Sequence, residues 1–294
     1  MKALITGANG QLGWELQRAR PEGWQLIALG RAELDITDSG AVTAAVQQHR
    51  PALVINAAAY TAVDKAEKEK EKAFAVNTDG AANIAGAAAD YQARFIHIST
   101  DFVFDGSKSQ PYLPHDSPNP LSVYGASKLQ GEKKVLAETM NTALVLRTGW
   151  LYSCHGSNFV KTMLKLMAER DEIGVVADQV GTPTWTRDLA RAIYYLADMA
   201  NVPGIYHWTD AGVASWYDFA VAIQEEALQL EILEKAIPIK PIRTSDYHTP
   251  AKRPAYSVLD KTATWQILGY AAEHWRTSLR KMLGELKKGL RTEV

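Results

Sequence analysis

Tyr124 and Lys128 stand four residues apart in Val123-Tyr124-Gly125-Ala126-Ser127-Lys128, a spacing that puts both side chains on one face of a helix. A free tyrosine titrates near 10, and bringing it to about 7 takes roughly 4 kcal/mol of preferential phenolate stabilisation. A cation about 4 Å away supplies that much at an effective dielectric of about 20. The pair is sufficient, as chemistry, for a tuned proton donor. Thr100, in Ser99-Thr100-Asp101, closes an apolar run and can hydrogen-bond and polarise a substrate carbonyl.

A second group of residues suits a dinucleotide. Gly7, Gly10 and Gly13 follow a strand-like run and open a helical one. Glycines there permit a tight turn and close backbone approach, and the helix N-terminus offers free N–H groups to a pyrophosphate. An acid about twenty residues on would hold the ribose 2′-hydroxyl of NAD. This chain has Gly30 and Arg31 instead, which can accept a 2′-phosphate, so NADPH is expected, with NADH kept as an alternative. Asp35 and Ile36 can border the adenine. Ala57, Ala58, Ala59, Tyr60 and Thr61 leave another apolar run with small residues that let ribose and pyrophosphate lie close.

These residues need a scaffold. Apolar runs at 3–6, 25–29, 53–56, 95–99 and 143–147 alternate with helical patterns over 11–20, 39–49, 78–91 and 122–140. The alternation predicts an α/β fold, a Rossmann-type doubly wound parallel sheet with ligands beyond the carboxyl ends of its strands. The alternating charges of 65–72 predict a solvated helical face. Later come a helix over 158–170, a strand near 174–177, and a helix over 187–199 with Thr186 as N-cap. A helix to about Leu230 opens on a Ser215/Asp218 capping box. The expected division is a dinucleotide-binding domain over 1–150, also receiving 186–205, and a smaller C-terminal α/β substrate lobe over 151–294.

A chain of 294 residues, 47% hydrophobic and 22% charged, can bury a substantial core and has an ordinary globular composition. A formal net charge of -1 gives no support for a nucleic-acid or acidic-membrane partner. Cys154 is the only cysteine, which excludes an internal disulfide and a thiolate metal cage. No apolar stretch approaches a bilayer span, and no basic segment with an apolar h-region precedes the first strand-like run. A cytoplasmic location is expected.

The motif set resembles the extended short-chain dehydrogenases, whose triad is Ser/Thr, Tyr and Lys, and more closely the dTDP-4-dehydrorhamnose reductases. The segments that carry the resemblance are GQLGWEL at 10–16, NAAAYTAVDKAE at 56–67, STDFVFDG at 99–106, YGASK at 124–128, RTGWLY at 147–152, NF at 158–159, DQVGTPT at 178–184 and PAKRP at 250–254. The resemblance implies NADPH-dependent reduction of the C4 keto group of a dTDP-linked 4-keto-6-deoxyhexose to dTDP-L-rhamnose, a cell-surface polysaccharide precursor. On the matching positions it implies that Gly10, Gln11 and Leu12, next to Asn9, touch the cofactor phosphates, and that Asp35 with Ile36 borders the adenine. Ala59, Tyr60 and Thr61 would line the ribose and nicotinamide, with Ser99 nearby and Lys128 on the ribose. Thr100 and Asp101 would meet the sugar under Trp150, while Tyr124 protonates it. Asn158, Gln179 and Arg253 would contact the nucleotide end, Arg253 forking onto the diphosphate.

The chain departs from the family pattern in three places. Gly30 replaces an acid found in some relatives. Gly149 stands where relatives often carry serine, a change expected to matter little. Some members bridge two subunits through a magnesium-binding glutamate cluster; Glu15 and Glu285 fit it, but Arg187 takes the third acidic position. Magnesium is therefore not expected, and the assembly expected is a monomer or a metal-free homodimer. Two other readings stay open: a nucleotide-sugar epimerase that retains its NAD, and a non-catalytic regulatory subunit like those of methionine adenosyltransferase. Gly30-Arg31 and the tail motifs weigh against the first, and the retained Thr100, Tyr124 and Lys128 against the second.

Overall fold

Apolar runs without polar alternation must be covered on both faces, as parallel strands between helix layers are. Ala3, Leu4, Ile5, Leu53, Val54 and Ile55 are all fully buried in this way. The computed structural model describes residues 1–199 and 202–292. Positions 200 and 201 of the expected segment 186–205, and 293 and 294 of the segment 151–294, lie outside the described residues.

The first half runs β1 (Lys2–Thr6), α1 (Gln11–Arg18), β2 (Gln25–Leu29), α2 (Ser39–His49), β3 (Leu53–Asn56), α3 (Val63–Ala66) and α4 (Lys70–Phe74). A π-helical turn (Ala75–Gly80), α5 (Ala81–Asp90), β4 (Arg94–Thr100), a 3-10 turn (Asp101–Val103), α6 (Val123–Glu138) and β5 (Leu144–Thr148) follow. Then come β6 (Leu151–Tyr152), α7 (Phe159–Glu169), β7 (Ile173–Val176), β8 (Val180–Gly181), β9 (Thr184–Trp185), α8 (Thr186–Asp198) and β10 (Gly204–His207). The chain continues through β11 (Ala214–Ser215), α9 (Trp216–Gln229), β12 (Ile239–Ile242), α10 (Thr262–Leu268) and α11 (Trp275–Thr292).

The main sheet has the order β10-β5-β4-β3-β1-β2, with every pairing parallel. The chain runs outward from β1 to β2, then returns to β3 on the other side, so the strand order reverses beside β1. A crevice opens at the carboxyl ends of strands at such a point. One face of the sheet is covered by a cluster including Leu12, Leu16, Leu189 and Ile193, from α1 and α8. The other is covered by Val42, Val46, Ile84, Ala88 and Val135, from α2, α5 and α6. Val160, Met163, Phe219, Ile223, Leu279 and Met282 form a separate core among α7, α9 and α11. This is the expected Rossmann-type α/β fold.

Three local expectations change. The charged stretch 65–72 is solvated as expected but divided between two short helices, anchored by Ala66 and Ala73, both fully buried, because it carries no apolar stripe to hold a longer one. The helix expected from 78 begins as a π-turn at Ala75. Thr186 is the first residue of α8 and does not cap it; its hydroxyl donates to Tyr152 O at 3.1 Å, tying α8 to β6. The Ser215/Asp218 capping box is formed.

Candidate active site

Gly7 adopts φ +70, and a Cβ there would lie 2.7 Å from the Ala58 backbone; one on Gly13 would lie 2.2 Å from Gly7 O. The two glycines thus draw the start of α1 against the exit of β3. Gly10, the N-cap of α1, is extended and no side chain caps the helix, so its first N–H groups are left for a ligand. They border a cavity of about 610 Å³ at the carboxyl ends of the strands. Of the expected residues, Gly7, Asn9, Gly10, Gln11, Leu12, Arg31, Asp35, Ile36, Ala57, Ala58, Ala59, Tyr60, Thr61, Ser99, Thr100, Asp101, Tyr124, Lys128 and Trp150 all line it. Glycine-loop backbone, small residues after β3 and a cationic Arg31 at the rim fit a phosphorylated dinucleotide.

The rest stand elsewhere. Gly13 packs under the loop, and Gly30 leaves room for the Asn9 amide, whose nitrogen would lie 2.3 Å from a Cβ at residue 30. Asn158 caps α7 through Lys161 N and donates to Gln11 Oε1 at 3.0 Å. Gln179 donates to Thr244 Oγ1 at 3.1 Å. Arg253 forks onto Asp64, at 3.1 and 2.7 Å, with Thr249 and Ala251 as further acceptors. In this arrangement the Nη1/Nη2 edge of Arg253 is paired with Asp64. Within the cavity, Asp35 is also partly engaged: its Oδ1 accepts from Thr37 N at 3.0 Å and from the Thr37 hydroxyl at 2.8 Å.

Ser122 caps α6 by accepting from Gly125 N at 3.1 Å, and the first two turns then bring Tyr124 and Lys128 to the cavity. The Thr100 hydroxyl faces the Tyr124 phenol. It also donates to Asp101 at 3.1 Å and accepts from Phe102 N at 3.2 Å, so Thr100 caps the 3-10 turn while standing at the site. Lys128 Nζ donates to Ile98 O at 2.6 Å.

Electrostatics here differ from the expectation. Burial pushes the Tyr124 phenol up to about 12; Thr100 opposes this and the Asp101 carboxylate adds to it. Burial brings Lys128 down to about 8, with Glu132 opposing. Desolvation outweighs attraction, and the ammonium is engaged by the Ile98 carbonyl. Tyr124 therefore keeps its proton at neutral pH, which is the state a donor requires. Asp101 is pushed up to about 6 by burial, with Ser257 and Thr100 hydrogen bonds pulling the other way. A Cβ on Gly149 would lie 2.6 Å from Asp101 Cγ, so the glycine and the carboxylate are packed directly against each other.

Several contributors have no local sequence signal. Asn77, turned inward by the π-turn, accepts from Tyr60 N at 2.8 Å and donates to Tyr60 O at 3.1 Å and to Ser127 Oγ at 2.9 Å. It pins the loop after β3 to the helix that carries Tyr124. Trp216 stacks on Trp150 with ring centroids 3.5 Å apart and planes 1° from parallel. Trp150, at φ +52, is thereby held as one wall of the cavity. Phe102 meets Tyr124 edge-on at 5.6 Å.

Glu15, Arg187 and Glu285 do converge. Arg187 Nε donates to Glu15 Oε2 at 3.2 Å and Nη1 donates to Glu285, while Arg18 lies 3.7 Å from both carboxylates. Two guanidinium groups among the carboxylates leave no fit for a magnesium ion.

The family described as RmlD substrate binding domain matches residues 1–288. The dTDP-4-dehydrorhamnose reductase of Aggregatibacter actinomycetemcomitans is 43% identical over 288 residues, covering 96% of this chain and 98% of that protein. The crystal structure of a dTDP-4-dehydrorhamnose reductase from Clostridium acetobutylicum superposes with a TM-score of 0.91 at 42% identity, covering 98% of this chain and 100% of that one. A dTDP-4-dehydrorhamnose reductase from Bacillus anthracis, solved in complex with NADP, gives a TM-score of 0.91 at 39% identity, over 97% of this chain and 99% of that one. With its glycine loop, its Thr100, Tyr124 and Lys128 on one cavity and this likeness over nearly its whole length, the chain belongs to the dTDP-4-dehydrorhamnose reductase family.

Proposed function

We propose that the protein reduces the C4 keto group of dTDP-4-dehydro-L-rhamnose with NADPH, giving dTDP-L-rhamnose as the last step in making that polysaccharide precursor. The observation that carries this reading is the convergence of Thr100, Tyr124 and Lys128 on the cavity that begins at the uncapped N-terminus of α1. When bound, NADPH supplies the hydride that C4 accepts. The first N–H groups of α1 would hold its pyrophosphate, and Arg31 its 2′-phosphate. Thr100 donates a hydrogen bond to the keto oxygen and polarises it. Tyr124 gives its proton to the same oxygen as it becomes an alkoxide, and Lys128 stabilises the phenolate left behind. Trp150, backed by Trp216, offers an apolar face to the C–H side and 6-methyl of the sugar.

In this reading residues 1–150 with 186–205 form the cofactor domain and the remainder mainly the substrate lobe. The enzyme works in the cytoplasm as a monomer or metal-free homodimer. The test is NADPH oxidation against a small panel of 4-keto nucleotide sugars. Turnover should be fastest with dTDP-4-dehydro-L-rhamnose, and absence of oxidation with every member would overturn the proposal.

A further inference from the structure

Behind Lys128 lies a buried ion pair that the reaction just described does not use. Glu132 and Arg147 are each 1% exposed. Arg147 Nε donates to Glu132 Oε1 at 2.9 Å and Nη2 to Oε2 at 2.7 Å, while Ser99 Oγ donates to Oε1 at 2.5 Å. Arg147 Nη1 donates to Pro114 O at 3.2 Å. Ser99 on β4 and Arg147 on β5 are register partners, so two strands grip one carboxylate from helix α6. A buried pair of this kind costs desolvation that apolar side chains would not, and stability alone is a weak account of it.

Its position suggests another role. Glu132 lies one helical turn after Lys128, as Lys128 lies one turn after Tyr124, so the three share a face. The carbonyl that accepts from Lys128 belongs to Ile98, the residue next to Ser99. The lysine and the carboxylate are thus fixed to adjacent residues of one strand.

We propose that Glu132, held by Ser99 and Arg147, is a positioning residue that keeps Lys128 charged and seated against Ile98 in the cavity. The inference rests on Lys128 acting in the reaction. Tyr124 and Glu132 face Lys128 from its own helix, and His97 faces it from β4. His97 is buried and, with Lys128 beside it, held well below its ordinary value, so it is neutral. The π-turn packed on α6 contributes Asn77 and Thr78, which carry no charge, and its Asp79 turns outward to Lys134 at 2.9 Å. Asp101 of the 3-10 turn acts on Tyr124, and Arg147 of β5 acts on Glu132. The carboxylate that opposes the effect of burial on Lys128 is Glu132.

A lysine ammonium is lost as pH rises through its pKa, and removing a nearby carboxylate lowers that pKa. Glu132→Gln should therefore move the alkaline limb of kcat/KM to lower pH by about one unit, the lower end of what one opposite charge does. Glu132→Asp should restore the limb even where it costs stability. If Arg147, left unpaired, prevents Glu132→Gln from folding, the double variant Glu132→Gln/Arg147→Met removes both charges and should show the same displacement. An alkaline limb identical to that of the parent enzyme in the folded variant, with only the maximum reduced, would overturn the inference. Lys128→Met serves as the separate control. If it kept the parent rate and profile, the assignment of Lys128 itself would fall.

Discussion

Gly149 and Asp101 are built against each other: a Cβ on residue 149 would lie 2.6 Å from the Asp101 Cγ and 2.7 and 2.8 Å from its two oxygens. The absent side chain is what lets a buried carboxylate stand beside Thr100 at the cavity wall. Gly149→Ala should push that carboxylate aside and lower kcat/KM for the sugar about tenfold, equivalent to about 1.4 kcal/mol. NADPH affinity should hold. Steady-state kinetics with a cofactor titration checks this, and an unchanged KM for the sugar would place Asp101 out of the substrate's reach.

Asp101 also makes a pH prediction whose sign is opposite to that of an ion-paired acid. Its pKa is about 6 in the folded protein against an ordinary 3.8, so between those values the fold holds a proton that the unfolded chain has released. Stability from this group is complete below the lower value and is lost as pH rises through the window. The gap from 3.8 to about 6 is worth roughly 3 kcal/mol. Asp101→Asn should therefore gain stability over the parent at pH 7 and not at pH 4, read from urea midpoints. An equal difference at both pH values would show that Asp101 is charged throughout.

Arg31 is a rim residue, 75% exposed and 3.7 Å from the Asp35 carboxylate. Its guanidinium is free to turn to a 2′-phosphate, but water screens what it gains. Arg31→Ala should weaken NADPH about tenfold, the lower end of a charge-assisted contact, and leave NADH nearly unchanged. Equal losses for the two cofactors, measured by fluorescence titration, would remove Arg31 from cofactor selection.

What could be read from the chain depended on how local its signal was. The strands ending at Thr6, Leu29 and Asn56 were legible because parallel strands between helices are apolar along their length. β10 was not: Gly204-Ile205-Tyr206-His207 is too short and mixed a run to mark a strand, whereas β2, the other edge strand, is apolar from Leu26 to Leu29. Tyr124 and Lys128 showed themselves by helical spacing, and Glu132 carries the same spacing one turn further. Its partner Arg147 becomes visible only through the β4–β5 register. Asn77 was hidden because a π-turn shifts the helical period. The Asp64 partner of Arg253 was hidden because it lies 189 residues away in sequence.

Arg187 supplies the last prediction. It joins Glu15, which is fully buried, to Glu285 on α11, and so links α1, α8 and the C-terminal helix within one chain. A divalent ion at these carboxylates would have to displace the guanidinium and would meet its repulsion. Oligomeric state and activity should therefore be the same in EDTA and in added magnesium, by light scattering and NADPH oxidation. Arg187→Met should destabilise the fold by about 3 kcal/mol, because it strips Glu15 of its closest cation and leaves a buried carboxylate poorly compensated. Arg18, 3.7 Å from Glu15 and 44% exposed, replaces little of that contact. A magnesium-dependent shift from monomer to dimer in the parent protein would show that the carboxylates can leave Arg187 for a metal.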